Sequence, residues 1–539
     1  MAVWVAAHAV LVLIATRWWL GHNELPDGYQ NEFIHLYTLG EIVFRMRDDS
    51  FAEALPFIRD EYWPPLIHLV PGLAMAIFEP SRALVTWVAG LAVVPLLAAS
   101  AAIALRLGGA TAACVATSLI AGAPMIFGNA RRYEPNILLA ALVMVALWLV
   151  VTRERRTDRS FILGLGLVAG LGLLADRVVF AVYLAPVALV LLAREQQWRR
   201  WLGVGAVAAL VSGWYYARFL ALHVTEVTSQ LGGEVAADGE HSAIALFSLR
   251  GLLYYPLTWL DGGAGLVPTL LVLVGLALWA RARRNAGAPL ETLLVGGLVI
   301  FTLIGKKQPY YGIPLLAPAI VLASVGWARF LEGRSARVAV VAAGALALQQ
   351  IAVNTAGAGI VPAPGRWAAL WGAPVLPDRF LGNEYVQAAP PAPGGLDPAR
   401  IAATCGPLGP TVLYSEGRGG FEGQLMPTLR LALDTRRVPG LVMEPEAFLE
   451  SLPAARCFVF VSPSVETPTG PVPAGWTWPT EQSLGRILQQ WTGQDPSPEL
   501  LAALKRARAG AGLRAQWVSE RGETVSIYAL AHVRGPDLP

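Results

Sequence analysis

"LVLIATRWWL" (11–20) runs directly into "GHNELPDGYQNEFIHLYTLGE" (21–41). The first stretch completes an apolar run that begins at residue 2 and ends in Arg17, Trp18 and Trp19, the pattern of an aromatic belt closing a helix at a bilayer surface. No basic residue precedes the run and no small-x-small cleavage pattern follows it, so it reads as a retained first span rather than a signal peptide. The second stretch then places Asp27, Glu32, His35 and Glu41 where the chain leaves the membrane. The side of the bilayer they face, and what else gathers there, decides how the whole chain is read.

Composition makes the case for a membrane protein. The 539 residues are 55% hydrophobic and 15% charged, against about a quarter charged in an ordinary soluble protein. Apolar runs near 2–20, 82–106, 110–127, 134–152, 160–175, 178–193, 201–220, 263–280, 290–305, 310–330 and 337–356 give about eleven spans of crossing length. The expected fold is a polytopic α-helical membrane domain over 1–356, followed by a soluble α/β domain over 357–539. The net charge is only +3 and no long basic tract is present, which sets nucleic acid aside as a partner.

The arginines orient the spans. "RERRTDR" (153–159), "REQQWRR" (194–200), "RARR" (281–284) and "ARFLEGRSAR" (328–337) all fall on one side if the spans alternate. By the positive-inside rule that side is the cytoplasm, so the N-terminus is expected inside and the C-terminal domain outside, in the periplasm or extracellular space of a bacterial-type inner membrane. "PPLIHLVPGLAMAIF" (64–78) is too short for a crossing and opens on two prolines, so it reads as an interfacial helix. Residues 21–81 then form an outer loop carrying amphipathic helices. In "NEFIHLYTLGEIVFRM", Phe33, Leu36, Tyr37 and Leu39 to Val43 give an apolar side that could lie on the membrane, and Glu32 and His35, three apart, share a face.

Beyond residue 356 the composition becomes ordinary. "PTVLYS" (410–415) and "CFVFVSP" (457–463) read as buried strands. "EPEAFLESL" and "SPELLAALKRARA" read as helices, and "LRAQWVSERGETVSIYALAHV" reads as a hairpin. Cys114 belongs to apolar packing. Cys405 and Cys457 are left as an open choice between free thiols and a disulfide, the latter requiring an oxidising compartment.

The informative charges are those that break the orientation bias. Arg131, Arg132, Arg177, Lys306 and Lys307 are basic residues on the expected outer side. Snorkelling and local ion pairs explain any one of them; five on one face point to a shared anion, such as a phosphate at the membrane surface. Asp27, Glu32 and Glu134 supply carboxylates on the same side, where an acid near hydrocarbon is costly without a partner. Together these groups suit one reaction. A sugar on a polyprenyl phosphate carries an anionic leaving group that cations stabilise, and a carboxylate acts as general base on the attacking acceptor.

At these residues the chain resembles the GT-C fold glycosyltransferases that use dolichyl- or undecaprenyl-phosphate sugars, the family 39-like group of protein mannosyltransferases and aminoarabinose transferases. The resemblance covers about residues 1–356 and rests on "NEFIHLY", "YWPPLIHLVPGLAMAIF", "ARRYEPNILLAAL" and "GKKQPYYGIPLLAPAI", taken in order. It implies an inverting transfer from a polyprenyl-phosphate-linked sugar to a lipid, glycan or protein acceptor. It also implies carrier-phosphate contacts from Lys306, Lys307 and Tyr310; Arg131, Arg132 and Arg177 join that set by charge and topology. The family's Asp-Glu pair stands here as Asn31-Glu32, so the base falls to Glu32 or Asp27, with Glu134 as the second carboxylate. His22, His35 and His68 lack tight ligand spacing; the metal reading is none, with a divalent ion left open. Two rival readings are a lipid or sugar transporter, or flippase, and a catalytically silent scaffold. The first would place charges near the bilayer midplane; the second is kept open by Asn31.

Overall fold

The computed structural model describes residues 1–23, 30–60, 63–78, 81–176, 179–195, 198–232, 248–282, 287–304, 307–331, 333–357, 396–415, 420–433, 435, 438–440, 445–462, 496–519 and 523–530. Asp27, Arg177 and Lys306 lie outside them. In chain order the helices are α1 (Ala2–His22), α2 (Gln30–Phe44), α3 (Phe51–Asp60), α4 (Leu66–Ile77), α5 (Arg82–Gly90), α6 (Val93–Gly122), α7 (Pro124–Asn129), α8 (Asn136–Val151), α9 (Asp158–Leu173), α10 (Val179–Glu195) and α11 (Trp198–Gly232). They continue with α12 (Leu249–Leu252), α13 (Tyr254–Thr258), α14 (Leu266–Arg281), α15 (Ala288–Leu303), α16 (Ile313–Phe330) and α17 (Gly333–Ala356). After these come α18 (Pro398–Cys405), β1 (Thr411–Ser415), α19 (Gly420–Ala432), α20 (Pro445–Ser451), β2 (Cys457–Ser462), α21 (Pro498–Ala509), β3 (Ala511–Val518) and β4 (Thr524–Leu530).

Two compact units emerge. One comprises residues 1–19, 58–71 and 86–390; the other comprises 20–57, 72–85 and 391–539. Among the described residues five helical stretches are long and apolar enough to cross a membrane: Ala2–His22, Arg82–Gly122, Trp198–Leu222, Pro309–Phe330 and Ser335–Ala356. Shorter apolar helices include Asn136–Val151, Val179–Arg194, Leu266–Arg281 and Ala288–Leu303. The chain is a multi-pass membrane protein. The 12 residues of α4 reach only about 18 Å at 1.5 Å per residue, short of the roughly 30 Å hydrocarbon core.

In the first unit α16 is the central helix, buried from Ile313 to Gly326 and packed against α6, α14, α8 and α15. Small residues allow these approaches, as expected where helices associate by close backbone packing. A Cβ on Gly326 would lie 2.1 Å from the Gly275 carbonyl oxygen of α14. On α9, Gly166 and Gly170 stand four apart, and a Cβ on either would meet Val207 or Val211 of α11 at 2.5 Å. Within α6, Gly109 has φ 76° and breaks the helix between the two apolar runs that flank it.

The arginine-rich loops collect at one end of this unit. Arg200 pairs with Asp158. Arg106 faces Glu154 at 3.9 Å. Arg329 donates to the carbonyls of Ala282 at 2.8 Å and Leu107 at 3.3 Å. These contacts tie Asp158 to Arg200 and Ala282 to Arg329, and bring Glu154 and Arg329 to Arg106 and Leu107, just before the break at Gly109. Alternation of the helices then carries the N-terminus of α8 and the C-terminus of α15 to the other end.

In the second unit the four strands run in the order β1-β2-β4-β3. β1 and β2 are parallel, whereas β2–β4 and β3–β4 are antiparallel. The period-two alternation of strand side chains feeds two cores. Val412, Tyr414, Phe458, Phe460 and Tyr528 pack with Phe448 of α20 and Leu500 and Leu504 of α21. Leu413, Val459, Val461 and Ile527 pack with Ile401 of α18 and Leu425 and Leu429 of α19. The open choice at Cys405 and Cys457 is resolved as a disulfide joining α18 to the start of β2, with Cα atoms 5.5 Å apart. Cys114 is a free thiol. Helix α2 also belongs to this unit and packs on α19, where Arg430 donates to Glu41 Oε1 at 3.2 Å and lies 4.8 Å from the Tyr37 ring centroid.

Candidate functional site

The turn between α7 and α8 holds the most unusual local chemistry of the first unit. Pro124 starts α7, and the chain turns through residues 130–135 before α8 begins at Asn136. Arg131, Arg132, Tyr133, Glu134 and Asn136 are all buried. Charged side chains are almost never fully buried without partners, and here the partners are specific.

Arg131, 2% exposed, donates to the Asn354 carbonyl at 3.0 Å and to Thr355 Oγ1. Its guanidinium carbon lies 4.9 Å from the Phe127 ring centroid and 5.6 Å from that of Trp19. The guanidinium's approach to two aromatic rings, with donors on a helix-end carbonyl, locks the turn to the end of α17. Glu134 Oε2 accepts from Asn136 Nδ2 at 2.5 Å, and the same amide reaches Asn129 Oδ1 at 3.3 Å. Asn129 in turn donates to the Met125 carbonyl at 2.7 Å. The carboxylate is therefore oriented by the Asn136 amide, which Asn129 holds in turn.

Tyr133 anchors the turn to α4. Its hydroxyl donates to the Ile67 carbonyl at 3.0 Å and lies 3.1 Å from His68 Nδ1. With its one proton directed at Ile67, the phenolic oxygen accepts from Nδ1–H, which fixes the neutral ring's tautomer. Burial pushes the His68 imidazole down to about 3, so it is neutral at physiological pH.

The segment after α15 lies at the same end of the unit. Lys307 donates to the carbonyls of Phe301, at 2.9 Å, and Thr302. Its ammonium thereby caps the C-terminus of α15, where the helix dipole favours a cation. Burial lowers its pKa from 10.5 to about 8. Tyr310 is half-buried and packs edge-on against Tyr311 at 4.9 Å between centroids. Helix α7 adjoins this segment: a Cβ on Gly312 would lie 3.7 Å from Met125 Cε and 3.1 Å from Trp259 Nε1. Two motifs distant in sequence thus meet through one short helix.

Glu32 belongs to the second unit. It is fully buried, and its Oε1 accepts from Arg82 Nε at 3.3 Å and Nη2 at 3.1 Å. Arg82 Nη1 also donates to the Asn23 carbonyl at 2.9 Å. Arg82 did not stand out in the sequence; its only signal was a cation at the start of an apolar run, in "EPSRALVTW". His22 and His35 are in the second unit and His68 is in the first. Among the described residues no three His, Cys, Asp or Glu side chains group as metal ligands.

Comparison with known proteins adds three findings. Residues 63–216, which include α4, the buried turn and His68, match the model of the family described as dolichyl-phosphate-mannose-protein mannosyltransferase. Over 200 residues the chain is 32% identical to the undecaprenyl phosphate-alpha-4-amino-4-deoxy-L-arabinose arabinosyl transferase of Pseudomonas aeruginosa (strain LESB58). That match spans 34% of this chain and 33% of that relative, about a third of each. Crystal structures of ArnT from Cupriavidus metallidurans superpose over 99% of both chains. The TM-score is 0.55 at 16% identity for the apo state, and 0.54 at 17% identity for the state bound to undecaprenyl phosphate. The chain has the fold of these ArnT structures, and its sequence relation to the mannosyltransferase family runs over residues 63–216.

Proposed function

We propose that the protein is an integral-membrane glycosyltransferase that moves a sugar from a polyprenyl phosphate carrier to an acceptor on the extracytoplasmic face of a bacterial-type inner membrane. The observation that carries this reading is the buried turn Arg131–Asn136. It presents an amide-oriented carboxylate, Glu134, beside two buried guanidinium-bearing residues, at the end of the first unit opposite its arginine-rich loops. The likeness to a structure bound to undecaprenyl phosphate supports a lipid-phosphate donor. The Cys405–Cys457 disulfide supports an oxidising compartment for the second unit.

In this reading the acceptor attacks the anomeric carbon in a single displacement with inversion, and the carrier phosphate departs. A carboxylate takes the acceptor's proton. Cations stabilise the charge that develops on the leaving phosphate. Arg131 holds the turn in shape through Asn354 and Thr355, Arg132 supplies positive charge beside it, and Lys307 and Tyr310 form the neighbouring segment that faces the carrier. Arg177 and Lys306 extend this cationic set by sequence and charge. The base is Glu32 or Asp27, with Glu134 as the second carboxylate.

The test is transfer from a purified polyprenyl-phosphate sugar by the protein and by its Glu32→Gln, Asp27→Asn and Glu134→Gln forms. Loss of the base is expected to slow transfer by about 10²–10⁴-fold. If all three folded variants transfer at the wild-type rate, the carboxylate assignment fails. A wild type that moves lipid between leaflets and never transfers sugar would favour a transporter.

A further inference from the structure

At the end of the first unit where the arginine-rich loops meet, a cavity of about 540 Å³ opens between α6, α8, α10 and α15. Arg106, Arg153 and Arg194 line it, one from each of three separate segments. Its other lining residues include Val151, Val187, Val190 and Leu191, so apolar side chains share the lining with the arginines. The one lining carboxylate among the described residues is Glu154. Its side chain is 76% exposed and sits 3.9 Å from Arg106, whose own side chain is 23% exposed. An exposed carboxylate at that distance offsets little charge. Arg153 also donates through Nη1 to the Val150 carbonyl at 3.0 Å, and the three arginines share one hollow.

This hollow is far from the candidate site. Glu134 precedes the N-terminus of α8 and Arg153 follows its C-terminus, so the helix's 16 residues set them about 24 Å apart. That separation is close to the thickness of a bilayer core. The proposed transfer at the Glu134 end makes no use of this cavity.

We propose that this cavity is a second anion site, which takes a phosphate group at the membrane surface opposite the candidate active site. Guanidinium forks match phosphate oxygens in bidentate geometry. A phosphate in the cavity is within the shared lining of Arg106, Arg153 and Arg194, three side chains whose charge is opposite to its own. The valine and leucine side chains have the chemistry to receive the first methylenes of a lipid chain, so the phosphate is either the head of an anionic lipid or a free ion.

The experiment uses the purified full chain in detergent. Thermal unfolding and native mass spectrometry follow titration with dihexanoyl phosphatidic acid, inorganic phosphate and, as a zwitterionic control, dihexanoyl phosphatidylcholine. Phosphatidic acid is expected to bind and to raise the melting temperature. The Arg106→Ala/Arg194→Ala double variant is expected to weaken that binding about tenfold or more, the effect of losing charge-assisted hydrogen bonds. Arg194 is exposed, so Arg194→Glu keeps the fold and should produce a similar loss. Binding of phosphatidic acid alone identifies a lipid head as the ligand; equal binding of inorganic phosphate identifies the free ion. Either result supports the site if both variants weaken it. Binding that both variants leave unchanged, or no binding by either phosphate probe, overturns it.

Discussion

Arg82 Nη2 lies 3.1 Å from Glu32 Oε1, with both side chains withdrawn from solvent and fifty positions of sequence between them. Through Nη1 the same guanidinium holds the Asn23 carbonyl. One arginine thus ties the end of α1, the acidic helix α2 and the start of α5 together, and sets the orientation of the motif carboxylate.

Breaking a buried pair leaves the surviving charge uncompensated, at a cost of about 3–5 kcal/mol. Arg82→Ala is therefore expected to lower the unfolding midpoint strongly. Glu32→Gln should cost less, because the amide oxygen still accepts from the guanidinium. Thermal unfolding in detergent compares the two, and equal losses would contradict the pairing described here.

Lys307 gives a prediction in pH. Burial lowers its pKa from 10.5 to about 8, so its charge in the folded protein is lost as pH rises through about 8. Between about 8 and 10.5 the unfolded chain holds a proton that the folded chain lacks. The penalty for burying this ammonium is thus largest below pH 8 and is relieved as pH rises across that window. Carrier binding should respond in the opposite sense: KM for the lipid-phosphate donor is expected to climb above pH 8. Lys307→Arg keeps its charge throughout and should flatten that climb. A KM profile identical in the two proteins would remove Lys307 from the phosphate-contacting set.

The cysteines predict a simple count. Denatured but unreduced protein should take one alkylating label, at Cys114, and reduced protein should take three, matching the three cysteines of the sequence. Replacing Cys405 and Cys457 by Ser should cost the second unit about 2–4 kcal/mol. Three labels without reductant would refute the disulfide.

Gly326 predicts a packing failure. A Cβ there would overlap the Gly275 carbonyl at 2.1 Å, so Gly326→Ala forces α14 and α16 apart. The expected loss is about 1–3 kcal/mol, the usual penalty of overpacking, read as a lower melting temperature. A control Gly205→Ala substitution on α11, where a Cβ meets nothing within 4 Å, should be close to neutral.

Arg131, Arg132 and Glu134 were legible in the sequence as charges in an otherwise apolar neighbourhood. Their partners were not. Asn354 and Thr355 stand more than two hundred positions from Arg131, and no local pattern marks an asparagine at a helix end as the acceptor for a distant arginine. Lys307 read as a phosphate ligand from its motif; that its ammonium also holds the last carbonyls of α15 emerged only from the fold.

The sequence by itself determined the apolar helices, the four strands and the break near Gly109, because each follows from the composition and periodicity of a few neighbouring residues. Only the tertiary structure decided which charges meet. It paired Glu32 with Arg82 and Glu41 with Arg430, placed α2 with the C-terminal sheet, and set Arg106, Arg153 and Arg194 around one cavity. The physical reason is range: burial of an apolar run depends on its own side chains and the surrounding solvent, while an ion pair depends on where the folded chain brings its two ends.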